Sequence, residues 1–136
     1  MRSNLTTSLA LVASMTSGLL CATAVSAENA DVPTYLLANL YVENMDGYMR
    51  DYATPLGPIL TEAGGEILVV APKVTRLEGD YVSNLTVVVR FPSAESANAF
   101  YASDAYAAVR PARHATTDLA ISTLVLAPEF TFPASE

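Results

Sequence analysis

Four short runs of aliphatic and aromatic residues, each bounded by proline, glycine or polar residues, predict four β-strands. These runs cover residues 35–42, 66–71, 86–91 and 121–126. Successive side chains of a strand point to opposite faces, so positions 36, 38, 40 and 42 form a purely apolar face. The opposite face of the same strand carries Tyr35, Leu37, Asn39 and Tyr41. We therefore expect the apolar face to pack on helices and the mixed face to border a wetter space.

Between these strands, apolar residues recur at the three- and four-residue spacing of a helix. In residues 46–63 the spacing is interrupted by Pro55 and Pro58, which predicts a break near Thr54. Downstream of the third strand, Ser93 and Ser103 are good N-caps, and they predict a helix from 93 and a second helical stretch from 104 to about 116.

The resulting order is β-α-β-β-α-β, which is typical of an α+β domain with a ferredoxin-like antiparallel sheet and its helices on one face. We expect this domain to span residues 35–127 and residues 128–136 to form a C-terminal tail.

The first 27 residues have the pattern of an export signal. Arg2 provides the positive charge, an apolar stretch follows, and Val25, Ser26 and Ala27 form a small-residue cleavage site. We expect cleavage after Ala27, leaving residues 28–34 as an N-terminal extension and placing the protein in the periplasm or outside the cell. The apolar stretch is interrupted and too short for a membrane span of about 20 residues, so no stable membrane association is expected.

Charge and cysteine content exclude several function classes. The chain has a formal net charge of −7 and a single cysteine, Cys21, which lies within the predicted signal. The mature domain therefore has no disulfide, thiol nucleophile or thiolate metal site. Its acidity disfavours nucleic acid and anionic lipid as partners. One histidine with scattered carboxylates does not make a metal site, and no nucleotide-binding glycine loop is present, so no cofactor is expected.

Three residues, His114, Arg90 and Tyr41, are candidates for catalysis because of their chemistry. His114, the sole histidine, is a candidate general acid or base, although a solvated histidine at a helix end is the more frequent case. Arg90 lies on the Thr86, Val88, Arg90 face of the third strand, where its guanidinium is suited to a carboxylate or enolate ligand. The alternative role for Arg90 is an inter-subunit ion pair with an acid such as Glu66.

Asn39 and Tyr41 lie on the mixed face of the first strand and are candidates for orienting a small ligand. Tyr41 is also a candidate proton donor. Alternatively, both residues stabilise contacts between two sheets across a dimer.

A set of short motifs is spread from Tyr35 to Leu126, and its members are Tyr48, Tyr52, Gly64-Gly65, Leu77-Glu78-Gly79-Asp80, Phe91-Pro92-Ser93, Ala97, Ser103-Asp104-Ala105-Tyr106 and Arg113. In the order and spacing of these motifs, the chain resembles the domain of unknown function 1330 family, which belongs to the dimeric α+β barrel superfamily. The resemblance implies a homodimer in which two sheets face each other around a cavity. It implies no established activity, although the superfamily includes muconolactone isomerase and cofactor-free monooxygenases.

Two functions remain open from the sequence. The first is an exported homodimer that binds a small aromatic or lactone-like ligand and performs cofactor-free isomerase or oxygenase chemistry on it. The second is a non-catalytic dimeric module for ligand binding or interaction. No sequence motif specifies an enzyme.

Overall fold

In the computed structural model, which describes residues 32–132, the chain forms an antiparallel sheet of four strands with helices on one face. The strand order is β2-β3-β1-β4, and the strands are β1 (Thr34–Leu40), β2 (Glu66–Ala71), β3 (Leu85–Phe91) and β4 (Thr123–Pro128). The helices are α1 (Met45–Tyr48), α2 (Thr54–Glu62), α3 (Ala94–Ala102) and α4 (Asp104–Thr116). The predicted α+β ferredoxin-like fold is confirmed. The predicted signal at 1–27 lies outside the described residues.

Strand β1 ends at Leu40, two residues before the predicted end. At Val42 the backbone bonds to the side chain of Asn84 instead of to the backbone of β3. The Asn84 Oδ1 atom accepts a hydrogen bond from the Val42 backbone N–H at 2.7 Å, and Asn84 Nδ2 donates to the Val42 carbonyl at 2.8 Å. Strand β4 lies two residues later than predicted, because its pairing with β1 runs from Asn39 opposite Thr123 to Thr34 opposite Pro128.

The predicted break near Thr54 is wrong. Helical backbone continues from α1 into α2 through a π-helical segment, Met49–Ala53. Pro55 and Pro58 have no N–H to donate, so ordinary α-helical bonding to the preceding turn fails at these positions. The helix widens instead: the backbone N–H of Thr54 bonds to the Met49 carbonyl, and the Thr54 hydroxyl donates to the same oxygen at 2.8 Å.

Both predicted helix caps are confirmed. Ser93 forms a reciprocal capping box with Ser96 at the start of α3. At the start of α4, the Ser103 hydroxyl accepts from the Tyr106 backbone N–H at 3.1 Å. Along α4, Tyr106, Arg113 and Thr116 lie at helical spacing, and all three are buried.

The core lies between the helices and one face of the sheet. On that face the β1 and β3 side chains are largely buried, and all but Thr34 are apolar. Phe91 and Ala97 are completely inaccessible to solvent. The edge strand β2 is different: its helix-side residues Ile67 and Val70 are 50% and 60% exposed. The helix layer packs over β1, β3 and β4, and it leaves the space above β2 open.

Candidate functional site

A cavity of about 270 Å³ lies inside the single chain, between the helix layer and the sheet. Aliphatic residues of β1 and β3, including Leu36, Ala38 and Val89, form its floor. A cavity of about 150 Å³ with similar walls is large enough for benzene. This one is therefore large enough for an apolar molecule of one or two rings.

The opening of the cavity lies between the π-helical segment, α2 and the uncovered strand β2. Exposed side chains at this opening are Met49, Ile67 and Val70. Gly57 also lines the cavity, and a Cβ atom added there would meet no atom within 4 Å. Space for a side chain is therefore open at Gly57, in the wall of the cavity.

Three tyrosines supply most of the polar groups of the cavity. Tyr48, Tyr52 and Tyr106 are each at least 95% buried, and the hydroxyl oxygens of Tyr52 and Tyr106 are 3.5 Å apart. Burial raises the pKa of Tyr48 to about 12, although the charge of Arg113 opposes the shift. Burial, together with Tyr106, also raises the pKa of Tyr52. Both phenols are therefore neutral and available as hydrogen-bond donors.

Arg113 is the one charged side chain that lines the described cavity. It lies in the last turn of α4 and is only 5% exposed. Its Nη2 atom is 3.0 Å from Nε2 of His114, and its Nε atom is buried without a hydrogen-bond partner in the described part of the chain. Sequence reasoning did not select Arg113 as a functional residue. Its spacing of seven residues from Tyr106, four from Val109 and three from Thr116 was the available signal that it lies on the buried face.

The predicted site residues do not meet at this cavity. Asn39 and Arg90 lie on the opposite, open face of the sheet. Asn39 is paired with Thr86, four residues before Arg90, so the two residues are about 13 Å apart along the strands. The Asn39 Oδ1 atom accepts from the Tyr81 hydroxyl at 3.0 Å, and Arg90 lies 3.9 Å from Glu66 of the same chain. Asn39 and Arg90 thus already have polar partners within the chain.

Tyr41 lies just beyond the end of β1 and is exposed, while its backbone N–H donates to the Ser122 hydroxyl at 2.9 Å. His114 is exposed on α4, in the helix layer, and of the four predicted residues it is the one connected to the cavity, through Arg113. Loss of hydration and the charges of Arg113 and Arg110 lower the pKa of His114.

Within residues 32–132, no group of three or more histidine, cysteine, aspartate or glutamate side chains is placed to hold a metal ion. In the same range, none of the helices has the length and apolar character needed to cross a membrane.

Comparison with known proteins points to one sequence family and one fold. Residues 33–126 match the family model "Domain of unknown function (DUF1330)". Among curated proteins, none matches the chain. The crystal structure of RPA0582, a protein of unknown function from Rhodopseudomonas palustris, is similar with a TM-score of 0.62 and 16% identity over 74% of this chain and 85% of that one. Its methylated form gives a TM-score of 0.60, with 16% identity over 77% and 85% of the two chains.

A nipsnap family protein with unknown function from Agrobacterium tumefaciens is also similar in structure. Its TM-score is 0.50, with 13% identity over 76% of this chain and 94% of that one. At such identities these likenesses support the fold alone.

Proposed function

The chain belongs to the DUF1330 family, and we propose that it is an exported, homodimeric protein that binds a small, largely apolar molecule in the cavity between its helices and its sheet. The observation that carries this proposal is the cavity itself. It is apolar on the sheet side, has a few polar groups on the helix side and opens above β2. This combination is typical of small-molecule sites.

The chemistry of the cavity favours binding over acid–base catalysis. Its described lining contains no carboxylate, histidine, lysine or cysteine. The raised pKa values of Tyr48 and Tyr52 make these phenols poor general bases at neutral pH. We therefore place non-catalytic ligand binding first. Cofactor-free isomerase or oxygenase chemistry on an aromatic or lactone-like ligand is the alternative.

For the dimer, we propose that a second copy of the chain covers the open face of the sheet. The middle row of this face is apolar, and it consists of Leu37, Val69, Val88 and Val125. Polar groups lie on both sides of the row, with Asn39 and Thr86 at one end and Arg90 and Glu66 at the other. An apolar centre with a polar rim is the usual composition of a protein interface.

The test of the binding proposal uses 2-naphthamide, a neutral two-ring compound, as a probe in isothermal titration calorimetry. The wild type is expected to bind it. Gly57→Phe places a ring at the entrance and is expected to weaken binding at least tenfold, whereas Gly57→Ala, whose Cβ meets no atom within 4 Å, retains it. Thermal unfolding of both variants checks the fold.

Failure of the wild type to bind the probe, or equal binding by the Gly57→Phe variant, would contradict a site in this cavity. Incubation of the bound probe in air, followed by mass spectrometry, separates the two functions: an unchanged probe supports binding, and a rearranged or oxygenated product supports catalysis.

A further inference from the structure

Arg113 is a buried cation without an anionic partner in the described part of the chain. Ion pairs among residues 32–132 join Arg50 to Asp51, Arg76 to Asp80 and Arg90 to Glu66, and none involves Arg113. Burial of an arginine is costly unless its charge is compensated and its donors are bonded. The position of Arg113 at the wall of an apolar cavity therefore needs a reason beyond packing.

The hydrogen bonds around Arg113 leave part of its donor set free. The guanidinium has five N–H donors, of which one at Nη2 is directed to His114 Nε2 at 3.0 Å. The Nε–H donor is buried and has no partner among residues 32–132. The carbonyl of Arg113 is already bonded, because it accepts from the hydroxyls of Thr116 at 3.2 Å and Thr117 at 2.8 Å. The donor that lacks a partner is thus on the guanidinium of Arg113, whereas its backbone carbonyl is already bonded.

The neighbouring phenols extend this donor set. Tyr48 and Tyr52 both lie within electrostatic range of Arg113, whose positive charge lowers the pKa of each against the larger effect of burial. Because both stay protonated at neutral pH, each can donate a hydrogen bond to an oxygen atom in the cavity. The Arg113 guanidinium and the two phenols together favour a ligand with a negatively charged oxygen.

On the basis of the proposed binding function, we infer that the ligand is a small aromatic or alicyclic monocarboxylate whose carboxylate pairs with Arg113 while its ring occupies the apolar part of the cavity. A planar carboxylate matches the guanidinium fork, and the ring matches the aliphatic floor. A dianionic phosphate fits less well: one cation is present in the lining, and the last turn of α4 carries the negative end of a helix dipole.

The experiment compares two ligands of almost equal shape, 2-naphthoate and the neutral 2-naphthamide, by calorimetry at pH 7.5. The wild type is expected to bind the carboxylate at least tenfold more tightly than the amide. Arg113→Met is expected to remove this preference, so that the two ligands bind the variant with affinities within about threefold of each other. The matched control is Arg110→Met on the same helix, because Arg110 lies over the Tyr101 ring, 6.0 Å from its centroid, outside the cavity lining. It is expected to keep the preference.

The outcomes distinguish this inference from the binding proposal beneath it. Equal affinity of the wild type for the two ligands, or a preference that survives Arg113→Met, overturns the carboxylate assignment while the cavity remains a binding site. Absence of binding for both ligands overturns both. If Arg113→Met does not fold, the wild type alone decides by NMR. Naphthoate should move the Nε–H resonance of Arg113 downfield, as a hydrogen bond to a carboxylate does, and by more than naphthamide moves it; equal shifts refute the inference.

Discussion

The guanidinium of buried Arg113 is held by the exposed side chain of His114, with 3.0 Å between Nη2 and Nε2. Arginine has only donors, so Nε2 of His114 must be the acceptor and its ring hydrogen must reside on Nδ1. This contact exists only while His114 is neutral. The surroundings of His114 favour this neutral state, because loss of hydration and the positive charges of Arg113 and Arg110 all lower its pKa.

The first prediction is a pH dependence of stability. Because the pKa of His114 is lower in the folded protein than its ordinary 6.5, the unfolded chain binds more protons as the pH falls below about 6.5. The contribution of His114 is therefore fully present above this pH and is lost as the pH falls through the lowered folded value. Urea unfolding between pH 5 and 7.5 measures it.

The control for this prediction is His114→Gln, which keeps a side-chain oxygen to accept from Arg113 and does not titrate. Since His114 is the only histidine, the difference between the two proteins isolates it. The wild type is expected to lose stability relative to the variant towards pH 5, by a small amount because the ring is exposed. A difference that is constant or of opposite sign across this range would refute the assignment.

A second prediction concerns the end of β1. Asn84→Ala removes two hydrogen bonds to the backbone of Val42, which is a buried residue. The substitution is expected to lower the free energy of unfolding by about 1–3 kcal/mol, because it leaves buried polar groups without partners. Asn98→Ala is the matched control, because Asn98 is exposed and bonds only to the Ala94 carbonyl within its own helix. Its expected cost is below about 0.5 kcal/mol. Equal effects in urea unfolding would contradict this role of Asn84.

The third prediction tests the proposed dimer. Val125 lies in the apolar middle row of the open sheet face, and Val125→Asp would place two charges in a face-to-face interface. Sedimentation velocity should show a dimer for the wild type and a monomer for the variant. Leu119→Asp is the control, since Leu119 is about as exposed, at 49% against 51%, but lies outside the sheet. A monomeric wild type, or a variant that remains dimeric, argues against this interface.

The fourth prediction concerns export. Intact mass spectrometry of the protein recovered from the periplasm or the medium should give a chain that begins at Glu28. Ala27→Tyr places a large side chain at the cleavage site and should leave the precursor uncut, whereas Ala27→Ser should be processed normally. Recovery of full-length wild type from the cytoplasm would refute the export signal.

The element order and the helix caps could be predicted from sequence because their causes are local. Alternating apolar residues make a strand, and Ser93 and Ser103 bond to N–H groups three residues later. Proline effects were predicted less well. Pro55 removes a donor in either case, but whether the helix breaks or widens depends on the contacts of the whole segment. Here it widens, and the Thr54 N–H and hydroxyl both bond to the Met49 carbonyl.

The α+β class, the order of the strands along the chain, the two faces of β1 and the acidic composition could all be predicted, since each follows from residue type and short-range spacing. The position of the cavity could be seen only in the folded chain. The helices cover three strands and leave the space above β2 open, which places the cavity on the helix side of the sheet. Arg113 is buried there, while Arg90 pairs with Glu66 on the other face. Such placement depends on packing between segments far apart in sequence, which no local pattern encodes.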